Sequence, residues 1–467
     1  MVAMFPLRYI GLFLLLAALL PGCKEGSPLP NQPPETHIFV ESINLSGSNR
    51  LNSIVRLHWS GEDVDGFITG YEISLDEQQW SFVTRQDSTF RFDLKAGSDT
   101  TDIDFWVRAI DNHQLPDPTP AYLRVPIKNT PPVARFDTVR SIPQRVGPAF
   151  SVLWSVEDLD GAETLDAVLV KCNEGEWYEV EPTVNFLTFV PTQPTQPGSQ
   201  EARVYKGVGA ELQAQNIGGL RVGEPNRLFV KARDLTGAES EVDTSAVFVV
   251  EVMKGDLLVV DAYGAATPDN VYFPLLQAVY PTYDYLNLRD NFPPFWDPTF
   301  GLLLQQYDKV FWYSDGTQHA SLGMEQLLET GANAVQTYLN AGGKMFITTK
   351  FPATFLNAGS GFRSPIFGFS PMDSLSSSGG QARIVRNARI LPVPALAGQL
   401  DTLVSAGFIT GADPFYPKNP VNDLFHAEIT PTGGWTGPTT VSSSTLFRNG
   451  QVNQVFFSVE LHLLNGR

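Results

Sequence analysis

Ser314, Asp315, Lys350 and His426 are the residues of this sequence whose types and settings could carry catalysis. Ser314 and Asp315 close an apolar run that begins at Lys309, and Lys350 closes another that begins at Lys344. Both therefore fall where a buried strand gives way to a turn. A hydroxyl there needs a base to take its proton before it becomes a nucleophile, and a lysine, carboxylate or imidazole could serve as acid or base, so the chemistry to weigh is hydrolysis or group transfer. His319 shares a loop with Ser314, but a triad needs groups that converge in space, and neighbours on one loop usually diverge. No Gly-x-Ser-x-Gly elbow occurs, and the six histidines contain neither an i, i+4 pair nor a His-Glu-x-x-His arrangement. The Ser374–Gly380 run lacks the preceding strand and following helix of a phosphate cradle. Solvated loop polarity is the plainer account of these residues, and no catalytic role is assigned.

The elements that would position Ser314 and Lys350 read as a strand-helix-strand unit. Asp308–Tyr313 and Lys344–Thr349 are apolar runs, and between them a helix is expected from about Leu322 to Ala341, with Met324, Leu327, Leu328, Ala332, Val335 and Leu339 forming one apolar stripe. Gly342-Gly343 stops it. Such a unit builds a parallel sheet whose ligand sites lie at the strand ends. Upstream, Leu257–Asp261 is a continuous apolar run suited to a sheet buried on both faces, followed by a helix from about Asn270 to Val279 and a strand near Tyr283–Leu288. Downstream, short strands are expected at Ala382–Val385, Leu424–Ile429, Thr445–Arg448 and Gln454–Leu461, the last two joined across the Asn449-Gly450 turn.

Earlier in the chain a motif repeats. Trp59-Ser60-Gly61-Glu62-Asp63-Val64-Asp65-Gly66 returns 95 positions later as Trp154-Ser155-Val156-Glu157-Asp158-Leu159-Asp160-Gly161. Pro33-Pro34 and Pro131-Pro132 open the copies, Trp80 and Trp177 recur, and Phe105–Ala109 is matched by Leu228–Ala232. A period near 95 residues means duplicated domains rather than a solenoid. Val55, Leu57 and Trp59 are expected inward, as are Tyr71, Ile73 and Leu75, with Val168, Val170 and Cys172 as counterparts of the latter three. Cys172 then reads as a small buried apolar residue.

Short strands around an early core tryptophan predict β-sandwiches, and the pattern resembles fibronectin type III domains: a tryptophan on the second strand, a tyrosine on the third and an aromatic-x-Val-x-Ala strand near the end. That resemblance implies neighbouring loops after the second and sixth strands, bringing Asp63 and Asp65 toward Asp111-Asn112, and Asp158 and Asp160 toward Asp234. Clustered carboxylates could take calcium, the one cofactor the sequence suggests. A turn in which aspartates cap their own backbone is favoured, because the acidic spacing of a dedicated calcium loop is missing.

Residues 254–467 resemble the class I glutamine amidotransferase-like, flavodoxin-like fold. The resemblance rests on the Leu257–Asp261 strand, the Lys309–Tyr313 strand ending in Ser-Asp-Gly, the Leu339–Lys344 passage and the closing strand. The family's nucleophilic cysteine would stand on the turn that here holds Thr349, Lys350 and Phe351, and its late His-x-Glu is replaced by Glu460-Leu461-His462. The resemblance therefore implies a fold without its amidotransferase activity.

Residues 1–22 place Arg8 before an apolar core of about a dozen residues, too short to span a bilayer. Ending in Leu20-Pro21-Gly22-Cys23, the segment resembles a bacterial lipoprotein signal, which implies lipidation of Cys23 and anchoring to a membrane of the cell envelope. Lys24-Glu25 resembles the charged tag of Bacteroidota surface lipoproteins. Removing the signal, and with it Arg8, takes the formal net charge from −18 to −19. That balance argues against nucleic acid. With Cys23 lipidated, Cys172 is the remaining thiol and no intrachain disulfide forms. The expected layout is a signal over 1–22, a tether over 23–34, a β-sandwich over 35–129, a second over 130–253 with a Pro/Gln/Gly-rich insertion at 191–224, and a flavodoxin-like α/β domain over 254–467. The leading functional reading is a non-catalytic envelope lipoprotein whose spacer sandwiches present the α/β domain to a protein partner or glycan-like ligand. A divergent hydrolase or transferase, and a structural or adhesive role for the sandwiches, are the alternatives.

Overall fold

The computed structural model describes residues 29–42, 45–46, 50–51, 53–92, 98–288, 298–316, 327–351, 364–375, 381–447 and 449–464. Cys23, the signal-like segment, most of the tether and His319 lie outside them. The chain is β-rich and falls into two compact units, Met1–Thr130 and Pro131–Arg467.

The first unit is a sandwich. One sheet has the order Glu35–Ser42, Ile54–Glu62, Asp87–Arg91, and the other runs through Ala121–Lys128, Thr100–Asp111, Ile68–Ser74 and Ser81–Val83, with two short strands at its far edge. Strict alternation along Ile54–Glu62 buries Val55, Leu57 and Trp59. Their side chains meet Tyr71, Phe105, Val107 and Ala109 from the facing sheet. Tyr71 is buried as expected, but Leu75 is 57% exposed, because the strand stops at Ser74 and the chain turns before Leu75 could face inward.

The second unit opens with another sandwich, which pairs a four-stranded sheet built on Leu165–Cys172 and Leu228–Asp234 with a nine-stranded one. Val168, Val170 and Cys172 are fully buried between them. Burial pushes the Cys172 thiol up to about 12, so it stays protonated at neutral pH. The stretch 191–224 is not a surface appendage. Its strands Gly198–Lys206 and Ile217–Val222 belong to the large sheet and place Ala202, Val204, Leu220 and Val222 in the core. The second tryptophans of the two copies share one setting: the Arg108 guanidinium lies 4.1 Å from the Trp80 ring, and Lys171 and Lys231 lie 5.0 and 4.8 Å from Trp177.

After Gly255 the pattern changes. Five parallel strands, numbered here in chain order, are β1 (Leu257–Ala262), β2 (Asp284–Asn287), β3 (Lys309–Ser314), β4 (Lys344–Thr349) and β5 (Val452–Phe457), with spatial order β2-β1-β3-β4-β5. Beyond β5 the same sheet continues antiparallel through Thr440–Leu446, Asp423–Ala427, Arg389–Pro392 and Leu403–Val404. The expected α/β layout thus stops at β4: among the described residues, the regular elements of the long β4-to-β5 connection are mainly short antiparallel strands, with helical pieces of no more than four residues. The hairpin at Asn449-Gly450 joins Thr440–Leu446 to β5, with Gly450 at φ 78°, the left-handed conformation such a turn requires. The helix expected from Leu322 is, in its described part, two pieces, Leu327–Thr330 and Ala332–Asn340, interrupted at Gly331. Helix α1 (Asp269–Val279) covers part of one sheet face.

The other face is closed. Leu258, Val260, Val310, Trp312, Met345 and Ile347 pack there on Leu328, Val335 and Leu339, and also on Ala149 and Val190 of the second sandwich. A buried hydroxyl chain follows the same seam: Ser151 lies 2.6 Å from Thr188 and also bonds Thr299.

Candidate functional site

The C-terminal ends of β1, β3 and β4 come together as parallel pairing demands, with Ser314 beside Ala262 and Thr349. Ser314 is buried, and its hydroxyl donates to the Thr349 hydroxyl at 2.8 Å. Asp315 accepts a hydrogen bond from the Gly264 amide at 3.1 Å and so ties the turn after β3 to the turn after β1. Lys350 reaches toward Glu460, 4.0 Å away, across the end of β5. The Glu460 carboxylate, buried, also accepts the Tyr263 hydroxyl. Burial first, and the Glu460 carboxylate second, push the Tyr263 phenol far up, so it stays a donor.

Around this centre the groups are held in place. Thr348 donates to the Val459 carbonyl at 2.7 Å and accepts from the Leu461 amide at 3.0 Å, which fixes the segment carrying Glu460 and His462. The His462 ring packs edge-on to Tyr263 and Tyr272, with ring centres 5.3 and 5.9 Å away, and burial pulls its pKa down against the opposing pull of Glu460 and Asp315. Asp261, fully buried, accepts the Tyr285 hydroxyl at 2.6 Å and the Tyr263 amide at 2.9 Å. Asp413 is buried beside the turn after β4 and accepts the Phe351 amide at 3.2 Å. Desolvation pushes its carboxyl up to about 7, with the Phe351 amide and Lys350 opposing and Glu460 adding to the rise.

Of the four residues singled out in the sequence, Ser314, Asp315 and Lys350 thus meet at one edge, and His426 does not join them. Its strand lies four places from β3 in the sheet, about 19 Å at ordinary strand spacing. His426 forms a separate cluster with Asp423, 3.1 Å from its ring, and Thr440, whose hydroxyl also donates to Asp423 at 3.1 Å. Sequence reading missed Asp261, Tyr263 and Asp413. The available signal for Asp413 was an acidic residue set inside the otherwise uncharged Phe408–Tyr416 stretch.

At the repeat loops the aspartates are engaged by backbone. In the first copy, Asp63 accepts the Asp65 amide at 3.3 Å, and Asp111 accepts the His113 and Leu115 amides at 2.7 and 2.8 Å. Asn112 accepts the Phe67 amide at 3.0 Å, and Gly66 sits so close that a Cβ there would lie 2.1 Å from the Asn112 amide oxygen and 2.5 Å from an Asp63 oxygen. In the second copy, Asp158 accepts the Asp160 amide at 2.8 Å, and Asp234 accepts the Thr236 and Ala238 amides, each at 2.9 Å. Burial raises the Asp158 carboxyl, with Asp160 and Asp234 adding to the rise. These are Asx-type turns. Among the described residues, no group of three or more His, Cys, Asp or Glu side chains is arranged to hold a metal ion.

The fold defines a class: a β-rich multidomain chain with fibronectin type III-like sandwich modules. No protein-family model and no curated protein matches the sequence. Similar solved structures include fibronectin(III)-like modules of Clostridium thermocellum CbhA, at 14% identity over 46% of this chain and 95% of that one, TM-score 0.18. The central fibronectin-III array of RIM-binding protein matches at 13% identity over 46% and 96%, TM-score 0.15. A 1.5-MDa bacterial ice-binding adhesin matches at 10% identity over 47% and 99%, TM-score 0.16. Scores of this size carry no argument, and the sandwich assignment rests on the strand pairing.

Proposed function

We propose that this protein is a non-catalytic binding lipoprotein of the cell envelope, in which sandwich modules hold out an α/β domain that takes a protein partner or a glycan-like ligand at its strand ends. One observation carries the reading. On the turn where an amidotransferase-like enzyme would hold its nucleophile, Thr349 accepts the buried Ser314 hydroxyl, so the two hydroxyls there are turned to each other. What the edge offers a ligand is recognition chemistry: the Lys350 ammonium, the Asp315 carboxylate and the Tyr263 aromatic face. The strand order β2-β1-β3-β4-β5 supports a flavodoxin-like origin for the domain, whose sites lie at such an edge. Anchoring through Cys23 is part of the proposal, and Cys23→Ser is expected to move the protein from the membrane fraction to the soluble one. Calcium at the Asp63/Asp65 and Asp158/Asp160 loops is the lesser proposal; a melting temperature indifferent to calcium and EDTA would remove it.

The test of the central reading is a glycan array probed with residues 23–467, followed by calorimetry on the best glycan. Lys350→Ala and Asp315→Ala are expected to weaken binding about tenfold, the size of one charged hydrogen bond. Binding unchanged by both would sink it. A second reading, a divergent hydrolase, is favoured by Asp413, whose carboxyl titrates near neutrality beside Lys350 and Glu460, as a general acid or base does. Turnover of an ester or amide substrate that Asp413→Asn abolishes would establish it in place of the first.

A further inference from the structure

A cleft of about 530 Å³ lies within the second compact unit, between the second sandwich and the edge strand β2. It opens at the N-terminal ends of β1 and β2, where Leu258 pairs with Asp284, and so lies away from the strand-end cluster. Its volume is that of a small-molecule site. Apolar residues make most of the wall, among them Val146, Phe150, Leu286, Phe300 and Leu303. Ser151 and Thr299 also line it, but their hydroxyls bond each other. Four charged residues complete the lining, and they are not evenly matched. Arg145 and Glu251 are paired with each other. Lys254 is exposed. Asp284 accepts two hydrogen bonds on Oδ2, from the Lys254 amide at 3.0 Å and the Tyr307 hydroxyl at 3.1 Å, and none on Oδ1 among the described residues. Burial raises the Asp284 carboxyl above its ordinary range, and the two donors and the Lys254 charge do not bring it back down. The protein therefore holds a carboxylate in this cleft whose lost hydration it does not make good.

We propose that this cleft binds a small organic amine, whose ammonium meets Oδ1 of Asp284 and whose apolar body lies against the cleft wall. The class of ligand follows from what each alternative would find there. An ammonium returns both charge and hydrogen bonds to a carboxylate that burial has deprived of water. A neutral hydroxyl returns a hydrogen bond without the charge. An anion would meet Asp284 unfavourably and find the Arg145 guanidinium already taken by Glu251. Tyr285 and Tyr307 belong to the same lining, and aromatic rings attract a cation at their faces. The Lys254 ammonium is the competitor within the chain, but it acts on Asp284 less than the Lys254 amide and the Tyr307 hydroxyl do, so the place beside Oδ1 is not its own. The wall asks for a hydrocarbon body, and the volume limits it to a molecule of metabolite size rather than a length of protein chain. This site is independent of the strand-end reading, and neither stands or falls with the other.

The test is a ligand-observed NMR titration of residues 23–467 carrying Cys23→Ser with three probes of similar shape and different charge: phenethylamine, phenethyl alcohol and hydrocinnamate. Phenethylamine is expected to bind saturably with a Kd of about 1 mM or tighter, and the alcohol and the acid about tenfold more weakly or not at all. Asp284→Asn keeps an acceptor for the Lys254 amide and the Tyr307 hydroxyl but removes the charge, and is expected to weaken phenethylamine binding about tenfold while an unchanged melting curve verifies the fold. Glu211→Gln, at an exposed carboxylate of the second sandwich, is expected to leave binding unchanged, which separates the cleft from the general attraction of an acidic protein for cations. Should Asp284→Asn fail to fold, the ranking of the three probes on the intact site still decides. No saturable binding of phenethylamine, hydrocinnamate bound as tightly as the amine, or amine binding indifferent to Asp284→Asn in a folded variant would each overturn the proposal.

Discussion

The two faces of the parallel sheet follow different rules although they are made from the same strands. On one face Val310, Trp312, Met345 and Ile347 are enclosed by helices and by two residues of the second sandwich. On the other, Phe311 and Phe346 are only partly covered and border an open groove. Alternation along a strand sends successive residues to opposite faces, so a central run of continuous apolar character reports that both faces avoid water without saying what covers each. The difference shows that a continuous apolar run does not distinguish a fully covered face from a partly open one.

The sharpest way to break the comparison is to remove a large side chain from each face. Trp312 is fully buried, and Trp312→Ala is expected to cost about 3–5 kcal/mol through lost burial and an unfilled cavity. Phe346→Ala, one strand over on the groove side, is expected to cost about 1–2 kcal/mol, because its site can relax into open space. Urea unfolding of the two variants checks the ratio, and equal losses would mean that the faces are equally packed.

A second test works at the strand ends and depends on pH. Asp413 has a folded pKa of about 7, above its unfolded value of 3.8. Its contribution is fully present below about pH 4, where both states are protonated. As pH rises toward 7 the unfolded state gives up its proton first, so stability falls, and above 7 the folded protein carries a buried carboxylate. Asp413→Asn is therefore expected to raise the melting temperature by several degrees at pH 8 and to change it little at pH 4. A gain at pH 4 that matches the one at pH 8 would exclude the titration.

How much of this was legible follows from the range of the interactions involved. The apolar runs at Leu257, Lys309 and Lys344, the hairpin at Asn449-Gly450 and the burial of Val168, Val170 and Cys172 all follow from local pattern, and the strands and contacts found agree with them. Leu75 was misplaced because alternation does not reveal where a strand ends. The break at Gly331 and the antiparallel continuation after β4 went unseen for a related reason: both are fixed by what the chain packs against, not by neighbouring residues. The strand-end cluster draws Tyr263, Ser314, Lys350, Asp413 and Glu460 from five separate segments, and no spacing in the sequence encodes that meeting. The engagement of the repeat aspartates by their own amides, in contrast, is local and was expected from their Asp-x-Asp-Gly form.

The smallest expected effect tests the open face most directly. Because Leu275 and Val279 are 62% and 72% exposed, little buried apolar area is lost when one becomes polar. Leu275→Gln is then expected to shift stability by no more than about 0.5 kcal/mol, as surface substitutions do. The same change at Leu276, which packs with Tyr272 and Phe311 against the sheet, is expected to cost about 1–2 kcal/mol. These neighbours differ by one residue and point to different sides of α1, so chemical unfolding of the two variants separates orientation from composition. A loss at Leu275 as large as that at Leu276 would show that the outer side of α1 is already covered within one chain, and the distinction between the two faces would fail there.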